Sequence, residues 1–521
     1  MSSSKFITLL LILGILIFPT LQSQVAYAQN ANDALSFGNQ AVNFGSQQYS
    51  FDPVTGVMPG TAYAAGFGSF LDNPASAALF SKSFGEFGVS FNTVNEEGLY
   101  LGNSSSLEDN QFNLSNVGMV YKFPTERGRL VVGGGYNQHT SFNRALGFNA
   151  RNENSTITDQ FKIPGNTYAD IAFNTFATDF GDEFGDWDES IFRVGFDEPG
   201  DFLGVRQQGE IYERGHGGEY SAFLATEFQQ NLMVGVSVGI LAGRFSYDRI
   251  FQEIDEFNDY NADFIDSNDD GEGDTDIDNI IFSDEIESRY SGFRGRIGAL
   301  YQIGEFLNIG GSYTLPTRIS VDETFDATIR STFNNGVTFD DSIEGRFSYS
   351  VRHPSRFSIG AALDELGGLL SVSVSGEYVD YSATRIDFES DEMFEDQQIE
   401  NEFISETFTP VWNLRSGVAL QLNPGFTVRG GFGLSPSKFK DGNDDRYHYS
   451  LGTGFAISRN ASFEIGARYS TWEENSAVYT YGDLDYSTLP DAAPPVDIRS
   501  EDAFRTVDQF QVMGTLRLRM N

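Results

Sequence analysis

Apolar and polar residues alternate with a period of two over much of the chain from Phe84 onward. Four segments show the pattern most clearly: 232–241, 412–422, 426–434 and 510–518. Successive side chains of a β-strand point to opposite faces, so this period indicates strands with one apolar face. The other face carries small or charged residues.

The same pattern, with turn residues between the segments, predicts 14 strands. They cover residues 84–92, 115–123, 129–138, 219–228, 231–247, 286–303, 306–320, 341–363, 369–382, 411–422, 425–434, 447–457, 461–472 and 505–520. Segment 341–363 contains Pro354, which we interpret as a kink in a barrel wall rather than the end of a strand.

The predicted connections alternate between short turns and long loops. The long loops are 93–114, 139–218, 248–285, 321–340, 383–410, 435–446 and 473–504. Short turns at one end and long loops at the other are typical of outer-membrane barrels, with both termini at the periplasmic end. A closed barrel leaves no unpaired backbone edge in lipid. The predicted fold is therefore all-β: a transmembrane antiparallel β-barrel of about 14 strands.

The composition mainly excludes certain partners and kinds of site. The 521 residues include 74 acidic and 33 basic ones and no Cys, for a net charge of −41. A chain this acidic is unsuited to nucleic acid. The lack of Cys excludes disulfides and thiolate metal sites. The acidic residues concentrate in predicted loops, where hydration alone explains them; surface-protein partners bound through these loops are the alternative.

Residues 1–28 have the pattern of a secretory signal peptide. Lys5 precedes an apolar segment at 6–18, and Ala26-Tyr27-Ala28 offers small residues for cleavage. The apolar segment is shorter than the roughly 20 residues of a membrane-spanning helix. We therefore expect an exported protein whose signal peptide is cleaved.

Residues 29–80 do not alternate, and they contain an Ala-rich block ending at Asn73-Pro74-Ala75. This block resembles the N-terminal hatch of the FadL/TodX family of outer-membrane transporters for hydrophobic compounds. Segments 311–317 (GSYTLPT) and 349–356 (YSVRHPSR) are similar to the branch of that family found in Bacteroidetes-like bacteria. The chain departs from the pattern at its end, because Met520-Asn521 lacks a terminal aromatic residue.

The resemblance implies an N-terminal plug at 29–80 inside a barrel at 81–521, in contact with outer-membrane lipid. It also implies passive uptake of long-chain fatty acids or other hydrophobic small molecules. Two alternatives remain: a FadL-like barrel that serves protein export in type IX secretion, or a surface-structural barrel. The four His are scattered and no His pair has the spacing of a metal site, so we expect no catalytic residue and no cofactor.

Arginines dominate the charged positions of the predicted inner face. If the apolar face is outward, the residues that point inward include Arg294, Arg296, Arg415, Arg429, Arg468, Arg517 and Arg519, with Glu377 and Glu464. One interpretation is an internal Arg–carboxylate network that holds the plug. The other is that Arg294, Arg296, Arg415 and Arg468 contact the carboxylate of a fatty acid, which suits a planar guanidinium.

Two further motifs are candidate sites. Gly133-Gly134-Gly135 lies in the predicted third strand. Glycines permit bends, and the family resemblance implies a kink there that opens the wall laterally. Residues 266–274 place oxygen ligands at Asp266, Asn268, Asp270, Glu272 and Asp274, as in a calcium loop. The twelfth position is Ile277 rather than Glu, so a solvated acidic loop is the alternative.

Overall fold

The computed structural model describes residues 36–46, 49–64, 66–163, 166–181, 188–193, 202–263, 265–268, 272–390, 393–484 and 496–520. The predicted signal peptide lies outside these residues. The strands are β1 Phe84–Tyr100, β2 Asn103–Lys122, β3 Leu130–Ser141, β4 Arg144–Asn152, β5 Thr178–Phe180, β6 Asp188–Ser190, β7 Val205–Gln229, β8 Leu232–Ile254, β9 Ile277–Ile303, β10 Leu307–Thr314, β11 Thr317–Phe333, β12 Thr338–His353, β13 Arg356–Leu366, β14 Leu370–Asp380, β15 Arg385–Asp387, β16 Pro410–Asn423, β17 Phe426–Ser435, β18 Arg446–Ala456, β19 Ala461–Leu484 and β20 Val496–Arg519.

The helices of the described residues are short. They are α1 Phe37–Gly45, α2 Ser69–Asp72, α3 Thr158–Phe161, α4 Ala169–Asn174 and α5 Phe394–Thr407, with 3₁₀ segments at Pro74–Leu79 and Tyr381–Ala383. Within the described part of the chain, no helix is long and apolar enough to cross a lipid bilayer.

Fourteen strands close into one antiparallel ring, which confirms the predicted fold class. The order is β1, β2, β3, β7, β8, β9, β10, β13, β14, β16, β17, β18, β19, β20 and back to β1. The closing pair runs from Phe84 opposite Arg519 to Tyr100 opposite Ala503. The chain therefore ends at the same rim as the short turns.

A belt of apolar residues covers the outside of the ring. On β8 the outward residues from Leu232 to Ala242 are all apolar, and the next outward residue is Arg244. On β9 the outward residues from Ile303 back to Phe293 are apolar or Gly. Each run matches the roughly 9–11 residues with which a strand crosses a bilayer. The belt is the lipid-facing surface of a membrane barrel.

Above the belt the two faces exchange character. Asp322 and Glu344 of the β11–β12 hairpin point outward and are exposed, whereas Val321, Ile329 and Tyr349 are buried on its inner face. Here the strands surround a hydrophobic core to which Phe44 of α1 and the short helices contribute. This upper part has water outside and apolar residues inside.

Several predicted loops are wrong for this reason. Most of residues 93–114 and 321–340, and parts of 139–218, 248–285 and 473–504, form strands instead of loops. The period of two persists there, but the apolar residues move to the inner face. The predicted strand 341–363 is two strands, because β12 ends at His353 and β13 begins at Arg356. β12 pairs with β11, and β13 pairs with β10. The two strands therefore lie end to end along β10 and β11, and Pro354 lies in the gap between them.

Candidate functional site

The plug motif is buried between the plug and the barrel wall. Asn73 Nδ2 donates to the carbonyl oxygens of Thr61, at 2.7 Å, and Ala299 of β9, at 3.1 Å. Its Oδ1 accepts from the backbone N–H of Ala75 at 3.0 Å and so caps the 3₁₀ segment that Pro74 begins. These contacts join the N-terminal segment to β9, and the role of Asn73-Pro74-Ala75 as a plug motif stays a prediction.

Glycine residues in the barrel wall allow the plug motif to lie close to β8 and β9. A Cβ added at Gly298 would lie 1.9 Å from Asn73 Oδ1, and one at Gly235 would lie 2.5 Å from the backbone nitrogen of Ala75. Larger residues at these positions would push the motif away from β8 and β9. The wall and the plug are therefore matched in shape.

Two of the candidate arginines hold the plug. Arg415 Nη1 donates to Asp72 Oδ1 at 2.9 Å, and its Nη2 donates to the Thr55 carbonyl at 2.9 Å. Arg468 Nη2 donates to the Ser50 carbonyl at 2.7 Å. Both guanidiniums also stack on the Tyr49 ring, with centroid distances of 5.1 Å. These contacts are the ones expected if the inward arginines form an internal network that holds the plug.

The other two candidates pair with a buried carboxylate. Arg296 donates to both oxygens of Glu219 at 2.7 Å, and Arg294 lies 3.7 Å from the same carboxylate. All three side chains are almost completely buried. A role for Arg294, Arg296, Arg415 or Arg468 in binding a ligand carboxylate stays a prediction, and each already has a partner in the protein.

Most of the remaining inward charges are also paired. Arg429 Nη1 donates to Glu464 Oε2 at 2.7 Å, and Arg517 pairs with Glu86. Glu377 lies 3.7 Å from Arg356. Arg519 lines a recess at the short-turn rim. The inner face thus carries a network of ion pairs from rim to rim.

A cavity of about 160 Å³ lies above Tyr49, between the plug and the wall. We call it the basic cavity, because four basic residues line it: Arg144, Lys438, Arg446 and Arg468. The acidic residues among its lining are Glu213 and Asp444, and the rest include Trp472, Asn43, Gln509 and Gln511. Its chemistry suits a small anionic or strongly polar group.

Arg144 in the basic cavity is already paired with Glu96 and Glu474. Lys438 and Arg446, in contrast, have no carboxylate at hydrogen-bonding distance among the described residues. Burial, together with repulsion from Arg446, lowers the pKa of the Lys438 ammonium to about 8. The guanidinium of Arg446 lies over the Trp472 ring at 4.4 Å, and its nearest carboxylate, Glu474, is 3.7 Å away. Arg446 therefore has hydrogen-bonding capacity that faces the cavity.

Of these four residues, only Arg468 was predicted from the sequence as a candidate contact. Lys438 and Arg446 belong to the predicted loop 435–446, and Arg144 lies in 139–218, which was also predicted as a loop. One signal was present in the sequence. Lys438, Lys440 and Arg446 place three basic residues in a twelve-residue segment of a very acidic chain.

The barrel wall is discontinuous beside this cavity. β2 and β3 pair only from Asn116 opposite Asn137 to Lys122 opposite Val131. Beyond Asn137, β3 leaves β2, and the chain bends inward at Phe142-Asn143 before β4 begins. Phe142 packs inside against Phe44 and Phe245. From there upward, the edge of β2 overlaps the neighbouring sheet instead of pairing with it.

A groove of about 450 Å³ runs along the free edge of β2 on the outer surface. Residues 110–113 of β2 form one side, and residues of β7, β8 and β9 form the other. Arg214 of β7 donates to Asp109 of β2 at 2.9 Å and so bridges the two sides. The bend at 141–144 lines the basic cavity on the inside and hydrogen-bonds to Gly215, at the groove, on the outside.

Gly133-Gly134-Gly135 lies just below this discontinuity rather than in it. All three glycines are within the paired segment, opposite Val120, Met119 and Gly118. A Cβ on Gly135 would lie 2.1 Å from the Val117 carbonyl oxygen and 2.9 Å from the ring of Phe67 in the plug. The glycines thus allow close approach of strand and plug, and the wall opens two residues farther on.

The calcium candidate remains a prediction. Asp270 lies outside the described residues, and within the described ones no group of three or more His, Asp or Glu is arranged to hold a metal. Asp274 accepts hydrogen bonds from the N–H and hydroxyl of Ser267 and from Asn268. The bonds from Ser267, the larger effect, and from Asn268 lower the pKa of Asp274. Asp266, Asn268 and Glu272 lie in the same segment.

Neither a protein-family model nor a curated protein sequence matches the chain. Among solved structures, the chain is similar to the toluene transporter TodX of P. putida, with a TM-score of 0.48 and 11% identity over 91% of this chain and 99% of that one. A Pseudomonas aeruginosa FadL homologue matches with a TM-score of 0.45 and 13% identity, over 94% and 97%. The CymD monoaromatic hydrocarbon channel matches with 0.46 and 10%, over 91% and 98%.

These neighbours are of the FadL/TodX type that the sequence resembles. At such identities and TM-scores the likeness carries no statement about function. The fold itself rests on the strand pairing described above.

Proposed function

We propose that the chain is an outer-membrane channel through which hydrophobic small molecules, including long-chain fatty acids, enter by diffusion. The observation that carries this proposal is the bend at Phe142-Asn143, which has the basic cavity on its inner side and the groove at the β2 edge on its outer side. A solute bound inside is thus one bend away from a groove on the outer surface, just above the lipid-facing belt.

The filled lumen argues for a lateral route. Plug residues such as Phe51, Met58, Phe67 and Phe70 are buried inside the belt, and a second hydrophobic core occupies the barrel above it. Among the described residues, this packing blocks a straight aqueous path along the axis. An apolar solute loses nothing by passing sideways into lipid, whereas a hydrophilic solute would have to be dehydrated.

The basic cavity supports an amphipathic anion as one substrate class. At about 160 Å³ it holds a headgroup, whereas binding sites for entire drug-sized ligands measure roughly 300–1,000 Å³. The carboxylate of a fatty acid would bind near Arg446, and its chain would extend toward the bend. Arg446 is the better contact than Arg468, because Arg468 is already bonded to the plug.

Closing the groove tests the route. The chain has no Cys, so Asp109→Cys with Arg214→Cys introduces the only two thiols, one on each side. We expect a flexible bis-maleimide that links them to reduce fatty-acid uptake by whole cells to the level of cells without the protein. Opening a cleavable linker should restore uptake.

The control pair is Val428→Cys with Thr453→Cys, which face each other on fully paired strands. Linking these should leave uptake unchanged. Full uptake through a barrel linked at Asp109 and Arg214 would contradict the lateral route. No uptake by the unmodified protein, together with loss of exported surface proteins from a deletion strain, would favour the protein-export alternative.

Substituting Arg446 tests the headgroup site separately. In Arg446→Gln we expect the affinity for a long-chain fatty acid to fall roughly tenfold to a hundredfold, the usual value of a charge-assisted hydrogen bond. The affinity for the methyl ester should not change, because the ester carries no charge. Lys440→Gln is the matched control, since Lys440 lies in the same loop, outside the cavity, and bonds to the Ser405 carbonyl. Equal losses for acid and ester would contradict a carboxylate site.

A further inference from the structure

Arginines stand directly opposite one another on the outer face of the barrel, just above the apolar belt. Arg244 of β8 faces Arg289 of β9, Arg318 of β11 faces Arg352 of β12, and Arg352 faces Arg385 of β15. We call these five residues the arginine row. All five are exposed. Like charges directly opposite on paired strands repel and destabilise a sheet, and the chain has only 33 basic residues among 521.

The row lies at a defined height relative to the belt. Arg244 is the next outward residue after Ala242, and Arg318 is in register with Phe293, where the lipid-facing run of β9 ends. Arg352 precedes Phe357, the first exposed apolar residue of β13. At this height, directly above the acyl chains, the headgroups of the lipid leaflet begin. Basic residues there are placed to meet lipid phosphates.

The protein neutralises only part of the row. The side chains of Arg244, Arg289 and Arg352 form no hydrogen bond or ion pair with residues that the structure describes. Asp322 stands opposite Arg289, but its Oδ1 accepts from Ser348 Oγ at 2.8 Å. Arg318 lies 3.6 Å from Asp387 and 3.8 Å from Glu389, and Arg385 donates to backbone carbonyls.

One end of the row lines the groove at the β2 edge. Arg244 and Arg289 contribute to the groove, with Arg214, His216 and one carboxylate, Glu287. Arg214 is occupied by Asp109, so two guanidiniums face the groove against one carboxylate. Phe112 lies at the lower side of the groove and is 70% exposed. The groove therefore combines a cationic upper part with an apolar lower contact.

We propose that the arginine row binds the phosphate groups of a phosphorylated glycolipid of the outer leaflet. The sugar phosphate lies in the groove against Arg244 and Arg289, and the acyl chains lie along the belt below Phe112. The planar fork of each guanidinium donates two parallel hydrogen bonds to a phosphate. A bound phosphate also removes the repulsion between the facing arginines. This site shares the groove at the β2 edge with the proposed uptake route, but it does not rest on that route, because its test measures lipid binding and not uptake.

The test measures binding of diphosphorylated lipid A to the purified full-length protein in detergent. In Arg244→Gln/Arg289→Gln we expect the affinity to fall by roughly tenfold to a hundredfold relative to the unsubstituted protein. Arg127→Gln/Arg459→Gln is the matched control, because it removes the same charge from exposed residues at the short-turn rim. The control should bind lipid A like the unsubstituted protein.

Two further probes identify the ligand. Dephosphorylated lipid A should bind the unsubstituted protein and the variant equally weakly, and inorganic phosphate at millimolar concentration should not displace lipid A, because it has no acyl chains. Unchanged binding of lipid A by the double variant would overturn the proposal, as would full displacement by inorganic phosphate. Arg352→Gln, a single exposed change at the other end of the row, provides a second variant; we expect a smaller loss of affinity in the same direction.

Discussion

Replacing Glu219 by Gln is expected to lower the free energy of unfolding by about 3–5 kcal/mol, the usual cost of leaving a buried charge without its partner. The Glu219 carboxylate accepts two hydrogen bonds from Arg296 at 2.7 Å and lies 3.7 Å from Arg294. Gln has nearly the same shape but no charge, so both guanidiniums would stay buried opposite a neutral amide. Urea-induced unfolding in detergent measures the difference.

A double variant separates the charge effect from packing. In Glu219→Gln/Arg296→Met one of the two unpaired charges is removed and the aliphatic stem is kept, so most of the lost stability should return. Asp326→Asn is the surface control; Asp326 is exposed, and we expect a change within about 0.5 kcal/mol. A loss below about 1 kcal/mol in Glu219→Gln would show that other groups or water already stabilise the arginines.

Deleting residues 30–78 is expected to convert a sealed barrel into a water-filled pore. Each strand of the ring is held by backbone hydrogen bonds to its neighbours, so the barrel should still assemble. The removed segment includes Phe67 and Asn73, which are completely buried within the barrel, and it includes α1, whose Phe44 belongs to the hydrophobic core above the belt. Planar-bilayer recordings should change from no steady conductance to steady open-pore steps, and small hydrophilic antibiotics should enter cells.

The deletion also unpairs Arg415 and Arg468 from Asp72, Thr55 and Ser50. In an open pore these guanidiniums become hydrated, so the pore should favour anions over cations. Phe67→Ala is the control: it removes one ring but leaves the other plug contacts, and it should stay sealed. A correctly inserted deletion variant with unchanged conductance would show that residues 30–78 do not close the lumen.

Several features could be predicted from the sequence because the bilayer imposes them locally. A strand that crosses lipid must alternate, so the segments at 231–247 and 286–303 identified β8 and β9 and the inward direction of Arg294 and Arg296. The number of strands in the ring followed from the same period. The Asn73-Pro74-Ala75 motif was placed before the first strand, where the structure has it.

The extent of the strands could not be predicted in the same way. Where lipid ends, the apolar face changes from outside to inside, and segments such as 93–114 and 321–340 were interpreted as loops. The period of two was still present there. Which face of such a strand is apolar depends on whether lipid or water lies outside the sheet, and the sequence of a single segment does not show this.

The tertiary structure alone decided which charges meet and where the wall opens. Arg415 and Asp72 are 343 residues apart, and Arg468 and Ser50 are 418 apart; no local pattern relates them. The basic cavity combines residues of the plug, of eight strands and of the segment between β17 and β18, so its residues share no sequence motif. The break between β2 and β3 arises because β3 follows β7 and turns inward to bury Phe142. Local periodicity encodes which face of a strand meets lipid, whereas register between distant strands determines which side chains come together.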